Sequence, residues 1–303
     1  MERGERGARR PPDVSIAIVH YQTPDLLRRC LEALHRSSDR ERLEVFVIDN
    51  ASDVFDPAAC ERAFPGVHVI RNSQNRGFAA ASNQGLRNAT GRYLLLLNPD
   101  AFVQPDTIRT MRAYMDAHAD VGCATCRVEL EDGTLDLACR RLFPTPERSL
   151  YRMTLLSKVF PRSRRFGQYN LTYLDEWQET EIDQPCGAFM MVRAEAAARV
   201  GLLDERYFMY GEDTDWAYRI KRAGWRVMYV PTTTVRHLKR SSSRKYRSRT
   251  IRYFYDAMRL FYDDHYMPVY PRPITMAIHM AIGARKRVEL AANALTTLRA
   301  AIR

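Results

Sequence analysis

The sequence predicts an α/β protein: a mostly parallel sheet flanked by helices on both faces, followed by a helical, basic C-terminal extension. Short apolar runs alternate with stretches of helical period through the first half of the chain, the pattern of strand–helix–strand units that cover both faces of a sheet. The runs are apolar at consecutive positions, as strands buried on both sides require. With 303 residues and 46% hydrophobic side chains, the chain can bury a sizeable core without disulfides or a structural metal.

Taken in order, Val14–Val19, Glu44–Asp49, Val67–Ile70 and Tyr93–Leu97 read as strands. Between them Leu26, Leu27, Cys30, Leu31 and Leu34 share one helical face, and Phe78–Ala89 is an Ala-rich helix. A helix over Pro105–His118 and a strand near Val121–Val128 follow, and Asp132-Gly133 signals a hairpin turn. Phe143–Asp183 has no clean period and reads as a mobile connection with short helices, the kind that carries substrate-binding loops. Pattern returns with a strand at Cys186–Val192, helices at Ala194–Val200 and about Thr214–Ala223, the latter closed by Gly224, and a strand at Arg226–Val230. Ser248–Arg303 is mostly helical and basic.

The six cysteines read as free thiols, and Cys123 and Cys126 as two buried small side chains, since their C-x-x-C has no second pair. The longest uncharged apolar stretch, Pro273–Ala284, falls far short of the roughly 20 residues of a spanning helix. A cytoplasmic location is expected. From Arg236 to Arg303 there are 15 basic and 4 acidic residues, whereas the first 235 residues balance at 32 and 32. That excess at one end suits a polyanionic partner.

Ligands of an open α/β sheet gather beyond the carboxyl ends of its strands. There the chain offers His20 and Tyr21, then Asp49 and Asn50, then Asn98 and Asp100. Neither G-x-G-x-x-G nor G-x-x-x-x-G-K is present, so dinucleotide and P-loop enzymes are disfavoured. A bound diphosphate needs another neutralising device, and a divalent cation on Asp100 is the natural one. A second cluster, Tyr210-Gly-Glu-Asp-Thr-Asp-Trp216, lies 24 residues before His237 as counted from Asp213. Acidic residues also favour helix N-termini for structural reasons alone.

Asn72-x-x-Asn75-x-Gly77-Phe78-Ala79-x-Ala81-x-Asn83, leading into Leu97-Asn98-Pro99-Asp100, and then Gly201–Asp213 with Asp215, resemble family 2 glycosyltransferases of the GT-A fold. Within that family the chain is similar to the rhamnosyltransferase-like branch that builds bacterial surface polysaccharides. The resemblance covers roughly Val14 to Ser243. It implies a Rossmann-like, mostly parallel sheet in a domain over 13–243, with a nucleotide-sugar half (13–128) and an acceptor or catalytic half (129–243). Residues 1–12 are then a disordered basic N-terminus and 244–303 the helical basic extension.

Carried over residue by residue, the resemblance places His20, Tyr21, Asp49 and Asn50 at the base and ribose, and Arg76 and Gly77 in a loop beside the nucleotide. Asp100 matches the last acid of the metal-binding D-x-D motif, whose first acid is here Asn98, one negative charge fewer. Cys186, Gly187 and Ala188 match the turn flooring the sugar and acceptor pocket, to which Asp215 and Trp216 are also assigned. Asp213 matches the general base, Glu212 its acidic neighbour, and His237 an imidazole completing the shell of a divalent metal, Mg2+ or Mn2+. The implied reaction is inverting transfer, with dTDP-L-rhamnose favoured over UDP-hexose or UDP-N-acetylhexosamine donors, to a glycan or polyprenyl-diphosphate-linked glycan.

Val288, Ala291, Leu295, Leu298 and Ile302 recur at helical spacing beside Arg285, Lys286, Arg287, Arg299 and Arg303, an amphipathic basic helix. It suits either peripheral contact with the anionic inner face of the cell membrane or packing on the domain or a second subunit. Tyr246, Tyr253, Phe254, Tyr255, Phe261 and Tyr262 interleave this region and read equally as core. No nucleic-acid partner is expected, although a nucleic-acid binder using the tail would need neither Asp100 nor Asp213, and a silent nucleotide-sugar binder would tolerate Asp213→Asn.

Overall fold

The computed structural model describes residues 11–239 and 247–302, with side chains to 297. Ten of the twelve residues expected to be disordered (1–10), the assignment of Tyr246 and the side chains of Leu298, Arg299, Ile302 and Arg303 lie outside the described residues.

One nine-stranded sheet organises the chain. Strands β1 (Val14–His20), β2 (Leu43–Asp49), β3 (Val67–Arg71) and β4 (Tyr93–Leu97) pair in parallel, in the order β3-β2-β1-β4. Their crossovers are α1 (Pro24–His35), α2 (Pro57–Ala63) and α3 (Phe78–Asn88). The short β5 (Ala101–Val103), α4 (Thr107–Ala117) and β6 (Val121–Glu129) follow. The Asp132-Gly133 turn brings Glu129 opposite Leu135 in an antiparallel bridge.

The second half is mixed. After α5 (Pro146–Met153), α6 (Leu156–Val159) and β7 (Thr180–Glu181), β8 (Phe189–Arg193) runs antiparallel between β4 and β6. Helices α7 (Ala194–Val200) and α8 (Glu212–Arg222) precede the long β9 (Arg226–His237), which is parallel to β6 and antiparallel to β5 and β7. A strand buried on both faces is apolar whichever way it runs, so hydropathy carries no information about direction. Cores on the two faces of the sheet are built from Ile16, Ile18, Leu95 and Met111 on one side, and Ile48, Leu96, Met190 and Trp216 on the other.

Helices α9 (Arg247–His265) and α10 (Arg272–Ile302) complete the chain. Tyr255, Phe261 and Tyr262 of α9 are buried, Phe254 is half exposed, and Tyr253 stacks on Phe208 at 4.4 Å. Phe261 and Ala257 pack against Tyr207. Among the described residues no helix is long and apolar enough to cross a membrane. All six cysteines are free, and burial pushes the Cys123 and Cys126 thiols far up.

Gly77, ahead of α3, has φ +83°, and a Cβ there would collide with the Phe208 carbonyl. That carbonyl accepts from Phe78 N–H at 2.7 Å, so the loop before α8 is stitched to the start of α3 at a point only glycine fits. Gly77→Ala is expected to lower unfolding free energy by about 2 kcal/mol, read from urea denaturation.

Candidate active site

The carboxyl ends of β1, β2 and β4 form one rim. In register, His20 sits beside Asp49, both fully buried. Burial drives the His20 imidazole down to about pKa 4 against the opposing pull of Asp49, so the ring is neutral at physiological pH. Its Nδ1 contacts Thr23 Oγ1 at 3.1 Å and its Nε2 has no partner. Asp49 accepts from Ser52 N–H at 3.0 Å and faces Arg71 Nε at 3.3 Å. Asn50 closes the rim: it donates to Asn75 Oδ1 and the Gly77 carbonyl and accepts from Arg76 N–H, at 2.9, 3.1 and 2.9 Å. Tyr21 is half-buried and the Arg76 side chain exposed.

Beyond β4, the Asp100 carboxylate meets His237 Nε2 at 3.2 Å, because β5 pairs Ala101 with His237 across the sheet edge. The other imidazole nitrogen faces Asp136 Oδ2 at 3.4 Å, and Asp136 also accepts from Lys239 Nζ at 2.9 Å and Ala138 N–H at 3.0 Å. Burial opposes the His237 charge, yet Asp100 and Asp136 outweigh it and raise the pKa to about 9. Burial likewise opposes ionisation of Asp136, but His237, Lys239 and Ala138 N–H hold its carboxyl well below the usual range.

A carboxylate oxygen and an imidazole nitrogen at one edge, with the second ring nitrogen anchored on another carboxylate, suit a divalent cation. Among the described residues no three His, Cys, Asp or Glu side chains are grouped to hold a metal unaided. A cation here would complete its shell with substrate oxygens and water.

A short path joins this corner to α8. Asn98 N–H donates to the Ala188 carbonyl at 3.2 Å, and Gly187 N–H, next in the chain, donates to Asp213 Oδ2 at 3.3 Å. Arg141 Nη2 donates to the same oxygen at 3.2 Å, while Thr214 N–H holds Oδ1 at 2.8 Å. Asp213 is therefore fixed in orientation. The Cys186 thiol is pushed up to about 11, chiefly by burial and then by Asp136, with Asp213 adding to it and Arg141 opposing. Both carboxylates thus act on one small side chain between them.

Glu212 differs from its neighbour. It is buried, its Oε2 has no hydrogen-bond partner, and burial followed by the Asp213 charge raises its pKa from 4.5 to about 8. Both causes favour its protonated form.

Asp215 and Trp216 are engaged elsewhere than beside the Asp213 carboxylate. Asp215 is buried, accepting from Arg219 Nε at 2.8 Å and His265 Nε2 at 2.7 Å. Trp216 is fully buried in the core and donates to the Gly201 carbonyl at 2.9 Å. Helical rotation turns Asp215 about 200° from Asp213 around α8, while Trp216, four residues after the buried Glu212, shares its inner face. Conversely, Arg141, Asp136 and Lys239 contribute charge that no motif marks, and His265 couples α9 to α8.

A model of glycosyltransferase-like family 2 matches residues 11–255, and the chain belongs to that family. Its likeness is to the rhamnosyltransferase branch. It is 26% identical over 239 residues to the N-acetylglucosaminyl-diphospho-decaprenol L-rhamnosyltransferase of Mycobacterium tuberculosis H37Rv, covering 75% of this chain and 76% of that protein. To the rhamnosyltransferase WbbL of Escherichia coli K12 it is 26% identical over 246 residues, covering 79% and 89%. Among solved structures, the Pyrobaculum calidifontis mannosyltransferase PcManGT, in complex with GDP-Man and Mn2+, superimposes with a TM-score of 0.58 at 19% identity, covering 97% of this chain and 81% of that one. GalNAc-T7 with UDP, GalNAc and Mn2+ gives 0.58 at 17% identity, covering 78% and 45%. The fold is the GT-A α/β fold.

Removing Asp215 leaves Arg219 and His265 without their shared carboxylate. Asp215→Ala is expected to cost about 3 kcal/mol in urea unfolding. For Glu212, folding takes up a proton between its ordinary value of 4.5 and about 8. Its contribution to stability is full below 4.5, declines across that window and is gone above about 8. Glu212→Gln should flatten this decline in unfolding free energy measured against pH.

Proposed function

We propose that the chain is an inverting, metal-dependent transferase that moves L-rhamnose from dTDP-L-rhamnose to a glycan or polyprenyl-diphosphate-linked glycan in surface-polysaccharide synthesis. One observation carries the catalytic reading: the Asp100–His237 contact lies one hydrogen-bonded turn, Asn98 to Ala188 to Gly187, from an oriented Asp213 carboxylate. The donor and acceptor rest on the likeness to rhamnosyltransferases, one of which carries N-acetylglucosaminyl-diphospho-decaprenol in its name.

In this reading the nucleoside occupies the rim formed by His20, Tyr21, Asp49, Asn50 and the Arg76-Gly77 loop. Neutral His20 offers its unpartnered Nε2 as a hydrogen-bonding group. Asn98 and the Cys186-Gly187-Ala188 turn floor the sugar site. Asp213 accepts the proton of the acceptor hydroxyl as that oxygen attacks the anomeric carbon from the face opposite the diphosphate, so the configuration inverts. Arg141 and Gly187 N–H keep the carboxylate aimed, and neutral Glu212 beside it avoids a second negative charge. A divalent cation, Mg2+ or Mn2+, held by Asp100 and His237 would supply charge neutralisation for the departing diphosphate.

The domain in this reading is 13–243, with 244–303 as its extension. Helix α10 turns polar residues towards α9, with Lys286 2.5 Å from Asp256 and His279 2.6 Å from Asp263, and exposes Met276, Met280, Val288 and Leu295. That polarity supports the basic tail as a peripheral contact with an anionic membrane on the cytoplasmic side.

Incubation with a panel of nucleotide sugars, reading thermal shift and nucleoside diphosphate release, tests the donor. With the preferred donor, Asp213→Asn should lower kcat by roughly 100-fold or more with donor binding retained, and Asp100→Ala should weaken donor binding only when Mg2+ or Mn2+ is present. Full turnover by Asp213→Asn would remove the base assignment.

A further inference from the structure

The stretch from Pro146 to Phe166, which includes α5 and α6, has a small inner side and a large apolar outer side. Inside, Tyr151 is buried and meets Phe166 edge-on at 4.9 Å. Outside, Leu150, Met153, Leu155, Val159 and Phe160 are each between 46% and 65% exposed. Single exposed hydrophobic residues are ordinary, but five within eleven positions mark an interaction surface. Leu155 adopts φ +62°, a left-handed conformation that costs a leucine about 1 kcal/mol, where a glycine would fit without strain.

Cations ring this surface. Arg152, Lys158, Arg162, Arg164 and Arg165 are exposed, and Glu147 is the only acid between residues 146 and 170. Lys158, Arg162 and Arg164 form no ion pair with the described residues. Apolar side chains among unpaired cations match the boundary of an anionic bilayer, where hydrocarbon lies beneath phosphate. A nucleic acid would leave the leucine, valine and phenylalanine side chains without partners, and a neutral apolar protein face would leave the cations without theirs.

We propose that the α5–α6 cap docks on an anionic phospholipid bilayer. Leu150, Met153, Leu155, Val159 and Phe160 enter the headgroup boundary, while Lys158, Arg162 and Arg164 bind lipid phosphates. The cap also reaches the site: Arg152 lies over the Tyr169 ring at 5.0 Å, Tyr169 adjoins Arg141, and Arg141 holds Asp213. Presentation of a lipid-linked acceptor at this surface rests on the transferase reading above; docking itself does not.

The test is sedimentation of the full chain with vesicles of phosphatidylcholine, alone or mixed with phosphatidylglycerol. Binding to the mixed vesicles alone is expected. Val159→Ser with Phe160→Ser should lower partitioning about tenfold, and Arg162→Glu with Arg164→Glu at least as much, with unfolding midpoints retained because all four side chains are exposed. No binding by the unaltered chain would overturn the proposal. So would cap variants that bind as tightly as the unaltered chain while Met280→Ser with Val288→Ser loses binding, since α10 alone would then dock. A dimer in light scattering that the cap variant abolishes, without lipid binding, would reassign the surface to a second copy. Vesicle binding uses no donor or acceptor, so failure of the transferase reading and failure of docking are separately visible.

Discussion

The antiparallel pairing of β4 with β8, extended one step by the Asn98 N–H to Ala188 carbonyl bond of 3.2 Å, is the constraint on which the site depends. It places the corner after β4 against a turn that arrives in the chain some ninety residues later. From that turn a backbone N–H reaches Asp213. A one-residue slip in β8 would exchange its two faces, burying different side chains against the sheet and carrying Gly187 away from the α8 carboxylate. Because Phe189, Met190, Met191 and Val192 are all inaccessible, the register rests on how each side chain fits its surroundings and not on an alternation of hydropathy.

Around that join, charge is arranged so that neighbouring carboxyl groups behave differently. Asp213 lies among N–H donors and a guanidinium; Glu212, one residue earlier, has an unpartnered oxygen, and burial with the Asp213 charge favours its protonated form. Two adjacent anions in a low-dielectric setting would repel strongly, and neutralising the buried one removes that repulsion. At the other corner the same problem is solved with cations: His237 and Lys239 offset Asp100 and Asp136. A divalent cation at His237 Nε2 would displace its proton and add one positive charge to this corner, which a diphosphate would offset.

Much of this was legible in the sequence because it depends on short-range pattern. Strands β1 to β4, the helices α1 and α3, and the positions of His20, Asp49, Asn50 and Asp100 at strand ends follow from apolar runs ending in polar residues, whereas α2 buries no residue and left no apolar period to read. The acidic cluster at 212–216 was legible as a cluster but not as a geometry: helical rotation aims Asp215 at α9, and Trp216 fills the core on the same face as Glu212. Arg141 and Asp136 were not legible. Each is one arginine or aspartate among many, and only the fold of the irregular 130–188 segment brings them beside Asp213 and His237. Strand direction in the second half was hidden for the reason given by the burial of β8.

The C-terminal extension is structurally inseparable from the site, although the family match ends at residue 255, inside α9. The loop before α8 contains Tyr210 at φ +70° and Gly211 at φ +84°, and a tyrosine holds a left-handed conformation only where its surroundings over-determine it. Those surroundings come largely from α9: Tyr253 stacks on Phe208, Phe254 meets the Tyr210 ring edge-on at 6.0 Å, and Ala257 closes on Gly211. His265, at the end of the same helix, grips Asp215 from the far side of α8. The helix that bears Asp213 is therefore clamped at its first turn by residues the shared motifs do not include.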